Sequence, residues 1–351
     1  MTVSAPATWM AREIREQPEA LRRTLDALLP REPDVAALAA RTRQVLFIAR
    51  GSSDAAALYG RYLCEVGAGR LATPASPSVA TRYRRRLDLD GVLAVALSQS
   101  GRTEEIVETL AWAADCGAAT VAITNDGGSP LAAAASLALV TEAGPERAVP
   151  ATKSYTTQLA ALVVLALGLG ADPALRTGAQ RIPDAVAEIL ESDVDPLVTA
   201  LSEVDGLIVS GRGFAASTAW ELSLKVRETC SIDASGLSYA DLLHGPIAVA
   251  GPRTPALLVA AGDGPVLPGV LSLADRLRRA GVPVHAIGGG AALAQRADTA
   301  MPGPDLPEQL APLGLVVPGQ LAVEALARRL GLDPDAPGGL KKVTQTDERP
   351  A

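Results

Sequence analysis

Apolar residues in this chain fall into short unbroken runs, each followed by a glycine- or serine-bearing turn and then a stretch of helical period. Val45-Leu46-Phe47-Ile48-Ala49 predicts a strand buried on both faces. It leads through Gly51-Ser52-Ser53 into a helix from Asp54 to about Val66. Val92 to Leu97 repeats the pattern, with the turn Ser98-Gln99-Ser100-Gly101 and a helix from Thr103 to about Cys116. Ala119 to Ile123, Thr124-Asn125-Asp126-Gly127-Gly128 and a short helix from Ser129 form a third cycle. Strands alternating with helices predict an α/β fold with a parallel sheet. Ahead of them, Ile14, Leu21, Leu25 and Leu28 predict an amphipathic helix or a pair of helices over Ala11 to Leu29, interrupted at Pro18.

The cycle then recurs. Gly206-Leu207-Ile208-Val209-Ser210 runs into Gly211-Arg212-Gly213 and a helix from Ala215 to about Cys230. Ala256 to Ala261 meets Gly262-Asp263-Gly264, and Val284-His285-Ala286-Ile287-Gly288 echoes Val121 to Thr124. Each strand end lies about 162 to 164 positions beyond its counterpart, which predicts a duplicated α/β unit. A helical connector is expected over Arg176 to Asp195. The tail Pro334 to Ala351 is Pro/Gly-rich and polar, and composition alone predicts that it frays.

Composition narrows the chemistry. In 351 residues there are two histidines, His244 and His285, and three dispersed cysteines, Cys64, Cys116 and Cys230. No CxxC, HxxxH or HExxH spacing occurs, so neither a metal site nor a disulfide framework is expected, and the compartment is read as reducing and cytoplasmic. The first residues, Met1-Thr2-Val3-Ser4-Ala5-Pro6, carry no basic segment followed by an apolar one, which predicts no signal peptide. Leu159 to Gly170 is too short for a bilayer and reads as a buried helix. A net charge of −7 with no basic, aromatic-interleaved patch argues against a nucleic-acid partner.

Two turns carry candidate binding chemistry. Gly51-Ser52-Ser53 and Ser98-Gln99-Ser100-Gly101-Arg102-Thr103 each join a strand's carboxyl end to a helix. Backbone amides, the positive helix end and hydroxyl donors there suit a phosphate dianion. Capping by the same Ser and Thr side chains is the alternative. The second repeat has Gly213-Phe214-Ala215 and Gly262-Asp263-Gly264-Pro265 instead, which predicts one phosphate site per chain. Glu221, Lys225 and Glu228 fall at i, i+4 and i+7 of one predicted helix, as either an exposed ion-pair stripe or a base beside a lysine. His244, before Gly245-Pro246, ends a helix, where it either interacts with the dipole or does chemistry. His285, in an apolar strand, reads as structural. Lys341 and Lys342 stand together beside Val343-Thr344.

These residues resemble a known family. Leu97 to Thr103, with Gly51-Ser52-Ser53 upstream, is similar to the sugar isomerase (SIS) domain. The duplication resembles the double-SIS isomerase half of glutamine–fructose-6-phosphate aminotransferase, and stand-alone glucosamine-6-phosphate deaminase-like proteins. Glu13 to Pro18, Ala151-Thr152-Lys153-Ser154-Tyr155-Thr156-Thr157-Gln158-Leu159, the stretch from Lys225 to Pro246 and the Lys-Val-Thr tail agree. The resemblance implies two tandem SIS domains, each a flavodoxin-like three-layer α/β/α parallel sheet. Their expected limits are 36–190 and 191–335, after a helical segment 1–35 and before an active-site tail 336–351.

By the same resemblance, Ser52, Ser53, Ser98, Gln99, Ser100 and Thr103 bind a sugar phosphate, and Glu228 moves a proton between C1 and C2. His244 opens the ring and reaches a neighbouring subunit's site in a homodimer. Lys225 stands near the base, and Lys342, with Lys341 as the near alternative, is the tail lysine of imine chemistry. Ala151 occupies a position where the aminotransferase has a substrate-contacting Ser. No cofactor is implied. Position 2 holds Thr and few residues precede the first helix, so a glutamine-independent enzyme is expected. The resemblance implies glucosamine 6-phosphate deamination and isomerisation. Galactosamine 6-phosphate, deglycation of fructosamine 6-phosphate, ammonia-dependent synthesis and a non-catalytic sugar-phosphate sensor are the alternatives.

Overall fold

The computed structural model describes residues 7–345 as two compact units, each with its own sheet. One unit takes residues 19–144, 154–181 and the tail from 343; the other takes the N-terminal residues up to 18, 145–153 and 182–342. The chain is therefore interleaved between them.

In the first unit the strands are β1 (Gln44–Ile48), β2 (Leu71–Pro74), β3 (Val92–Leu97), β4 (Ala119–Thr124) and β5 (Leu137–Val140), ordered β2-β1-β3-β4-β5 and all parallel. Every residue of β3 is buried, as a central strand covered on both faces requires. Ile48, Ala94 and Ala96 pack with Ile106, Leu110 and Ala113 from the helix Glu104–Asp115. The run Leu159 to Gly170 lies in the helix Lys153–Gly168 and just beyond it, and its residues up to Leu169 are buried. Among the described residues no helix is long and apolar enough to cross a membrane. A Cβ on Gly60 would sit 2.8 Å from both Leu162 and Phe47, so glycine there lets the helix Ser52–Tyr62 approach the buried helix closely.

The second unit carries β6 (Gly206–Gly211), β7 (Asp233–Ser238), β8 (Ala256–Ala260), β9 (Val284–Gly288) and β10 (Thr299–Met301), again all parallel. Its order, β10-β9-β8-β6-β7, is the first sheet's order read from the opposite edge. Two sheets of identical topology explain the recurring strand ends. Both change direction next to their first strand, at β1/β3 and β6/β8, which is where open α/β sheets bind ligands.

Four strands went unread in the sequence: β2, β5, β7 and β10. All four are edge strands. β2 has a single buried residue and ends in Pro74, and β7 is Asp-Ala-Ser-Gly-Leu-Ser, so neither makes an apolar run. The N-terminal segment is two helices, Trp9–Arg15 and Gln17–Leu28, with Pro18 in the second one's first turn, where a missing N–H costs nothing. The connector is helical as expected, over Ala174–Gln180 and Ile182–Ile189. The frayed tail is a correction. The Asp335 carboxylate accepts from the amides of Trp9 at 2.8 Å and Met10 at 2.7 Å, while its carbonyl accepts from Val149 N–H at 2.8 Å. Composition misses this because the contacts are made by backbone groups and isolated side chains. Residues 346–351 of that tail lie outside the described residues.

His285 is structural, as read. Its ring is buried in β9 with Nδ1 2.9 Å from Thr299 Oγ1, and burial holds its pKa below the usual 6.5 against the opposing pull of Asp298. The folded state resists protonation, so its contribution to stability is present above about pH 6.5 and is lost as pH falls below that value. In paired urea titrations, His285→Gln, which keeps a partner for Thr299, is expected to lose less stability between pH 7 and pH 5 than the parent.

Candidate active site

The serine loops lie at the switch point of the first sheet. After β1 the chain turns through Gly51, whose φ of +58° only glycine adopts freely, into the helix Ser52–Tyr62. Neither this helix nor Glu104–Asp115 receives a side-chain cap from its own N-cap residue, Gly51 or Thr103. The simple capping account of these hydroxyls therefore fails. For the second helix the cap comes from the tail: Gln345 Oε1 accepts from Glu104 N–H at 3.0 Å, and its Nε2 donates to Arg102 O at 3.2 Å.

The second loop is rigid. Ser98 Oγ accepts from Gly101 N–H, and Ser100 Oγ from Arg102 N–H, both at 3.2 Å. A Cβ on Gly101 would lie 2.2 Å from Ser129 Oγ, so glycine is obligatory there. Arg102 reaches away to Asp126 at 2.8 Å and, with Arg82 and Arg84, lines a cavity of about 770 Å³ that Gln345 also borders. Ser53 and Ser98 are buried; Ser52, Gln99, Ser100 and Thr103 are partly exposed. The hydroxyls of both loops and the N-termini of the helices Ser52–Tyr62 and Glu104–Asp115 lie at the carboxyl ends of the adjacent strands β1 and β3.

The matching crevice of the second sheet is unsuited to an anion. Glu308 lies over its turns, such that a Cβ on Gly264 would sit 2.2 Å from Glu308 Oε2 and one on Gly213 3.3 Å from Oε1. Burial and the neighbouring Asp263 both raise the Glu308 pKa. A phosphate there would face two carboxylates.

The second unit instead holds an acid–lysine cluster. Along the helix Ala215–Cys230, Lys225 donates to Glu228 Oε2 and stands 3.7 Å from Glu221 Oε1. The Lys225 and Glu221 side chains are 1% and 0% exposed, whereas Glu228 keeps 25%. The exposed ion-pair stripe is thereby excluded: two of the three charges are sealed. Burial pulls the Lys225 pKa down, but Glu221, Glu228 and then Glu146 outweigh it, leaving the lysine above its usual value and charged. A fixed cation thus stands against a carboxylate that keeps a face toward solvent.

Across the cluster, Lys342 Nζ lies 2.7 Å from both Glu146 Oε2 and Ala148 O. Glu146 Oε1 accepts from Thr152 N–H at 2.9 Å and Thr152 Oγ1 at 3.1 Å. The segment is clamped from behind by Glu13, which accepts from Arg147 N–H and, at 3.2 Å, from Ala148 N–H. Burial raises the Glu13 pKa, the Arg147 amide opposes it, and Glu146 adds to the rise. Ala151 is half-buried beside Thr152, and Lys153 pairs with Glu16.

The structure thus joins Lys225, Glu228 and Glu221 in one ion-pair group, while Lys342 pairs with Glu146, whose charge also acts on Lys225. It does not bring His244 there. That residue is exposed at the C-cap of the short helix Tyr239–Leu243, before Gly245 at φ +132°, and among the described residues no hydrogen bond or ion pair joins it to the cluster. Glu146, Glu13, Thr152 and Gln345 went unread. Their roles rest on contacts between distant segments, with no periodicity to mark them. No group of three His, Cys, Asp or Glu among the described residues could hold a metal ion.

Hydroxyl loops at the switch point of a parallel sheet define a class, α/β proteins built to hold a phosphorylated ligand. A family model of the SIS domain matches residues 39–168, the stretch holding the first sheet. A proposed phosphosugar isomerase from Silicibacter pomeroyi superposes with a TM-score of 0.87 at 36% identity, over 94% of this chain and 100% of that one. The C-terminal domain of glucosamine-fructose-6-phosphate aminotransferase from Francisella tularensis does so at 0.85 and 26%, over 96% and 100%. The glutamine–fructose-6-phosphate aminotransferase of Methanothermobacter thermautotrophicus is 33% identical over 344 residues, 95% of this chain and 57% of that protein. The chain spans somewhat over half the length of the curated relatives it matches. It belongs to the SIS family of phosphosugar isomerase-like proteins.

Lys225→Met strands the sealed Glu221 carboxylate beside a thioether. The expected loss is about 3–5 kcal/mol of unfolding free energy, read from urea melts. A loss below about 1 kcal/mol would show that the pair is dispensable.

Proposed function

We propose that the chain is an amino-sugar-phosphate deaminase/isomerase that converts glucosamine 6-phosphate and water into fructose 6-phosphate and ammonia. The observation that carries this reading is the half-open Glu228 carboxylate, paired with a sealed lysine. Ser52, Ser53, Ser98, Gln99, Ser100 and Thr103 hold the phosphate, which anchors the sugar for proton transfer. His244 opens the ring. Glu228 removes the C2 proton and returns one to C1, taking the open-chain aldehyde through an enolamine to a C2 imine. Lys225 or Lys342 supplies the positive charge that stabilises the enolamine. Water then adds at C2, ammonia leaves, and the ketone remains.

The thiols support ammonia rather than glutamine as the nitrogen partner of this chain. Cys64, Cys116 and Cys230 are all buried, and burial pushes Cys64 and Cys230 up to about 12, far from the reactive thiolate that amide hydrolysis needs. On this reading the second sheet is a second SIS domain. The active species is a cytoplasmic homodimer in which His244 completes the partner's site.

Ammonia release from glucosamine, galactosamine and fructosamine 6-phosphates tests the proposal, with the highest kcat/KM expected for glucosamine 6-phosphate. Tight binding without turnover of any of them would overturn it in favour of a sensor. Glu228→Gln is expected to lower kcat by about 10²–10⁴-fold and to abolish C2 proton exchange, with phosphate binding preserved. Retained exchange would remove Glu228 from the role of base.

A further inference from the structure

The buried group that this mechanism leaves unused is Glu146. Its side chain is fully sealed, and one oxygen is committed to the Thr152 amide and hydroxyl. Only the other oxygen is directed at Lys342, whose ammonium also meets Ala148 O. The two sides of this contact differ in rigidity. Glu146 sits on a segment clamped by Glu13 and by the Asp335 carbonyl on Val149, and Arg147 stacks 4.2 Å over the Trp9 ring. Lys342 lies on a tail whose neighbours Leu340 and Val343 are exposed. A preorganised acceptor facing a lysine on an exposed tail is a dock.

We propose that Glu146 is a positioning residue that docks the tail through Lys342 and so fixes that amine at the acid–lysine cluster. The inference rests on the proposed function for its catalytic consequence, but the docking itself does not. Glu146→Gln separates the roles of the two oxygens. The amide oxygen still accepts from Thr152, while the amide nitrogen sets a second donor against the Lys342 ammonium.

The test uses the full chain. In Glu146→Gln, without substrate, amide hydrogen exchange over residues 336–345 is expected to accelerate about tenfold or more. In turnover of glucosamine 6-phosphate, kcat is expected to fall about 10- to 100-fold while KM moves less than about threefold. Lys342→Met should do the same, and the double variant should lose clearly less than the product of the two single losses, because either substitution alone already breaks the docking contact. If Glu146→Gln fails to fold, Lys342→Met, at a partly exposed position, reports tail exchange alone. Unchanged tail exchange, or an undiminished Glu146→Gln effect in the Lys342→Met background, overturns the proposal. An inactive parent overturns the functional reading instead, and tail exchange still decides the docking.

Discussion

A lysine taken wholly out of water must find compensating charge or lose its proton, and in this protein Lys225 finds it twice. Glu221 satisfies it from inside, and Glu228 satisfies it from the half-open side. The two contacts are asymmetric: one carboxylate is sealed with the cation, and the other keeps a face toward solvent. On the opposite face of the helix Ala215–Cys230, Gly236 of β7 lies so close that a Cβ would meet Ser223 Oγ at 2.5 Å, so glycine lets the strand pack against it.

The two sheets share one topology but differ at their switch points. In the first, the turns carry small residues and hydroxyls. In the second, Glu308 stands over the equivalent turns beside Asp263, and the acid–lysine group lies along the helix that follows β6. An anionic group placed at the second crevice would meet two carboxylates.

Central strands and the Glu221–Lys225–Glu228 face were legible because burial and helical period leave a local trace. The serine loops were legible because glycine and hydroxyls collect where a strand gives way to a helix. The edge strands β2 and β7 were not, since neither makes an apolar run, and β5 and β10 are only four and three residues long. Glu146 was invisible for a different reason: its partner Lys342 lies 196 residues away, in a tail whose composition reads as loose. Contacts that depend on two or three long-range hydrogen bonds leave no period in the chain.

Asp335 has a consequence for the order of events during synthesis. Its carboxylate holds the start of the helix Trp9–Arg15, and its carbonyl holds Val149, next to the segment that presents Glu146. The strands of the first sheet are made early, and only the Gln345 cap on the helix after its second serine loop comes from the tail. The Glu146 segment lacks both Asp335 and Lys342 until the last part of the chain has left the ribosome. A nascent chain can therefore pair the strands of its first sheet well before the contacts of Glu146 with Lys342 and of Val149 with Asp335 can form.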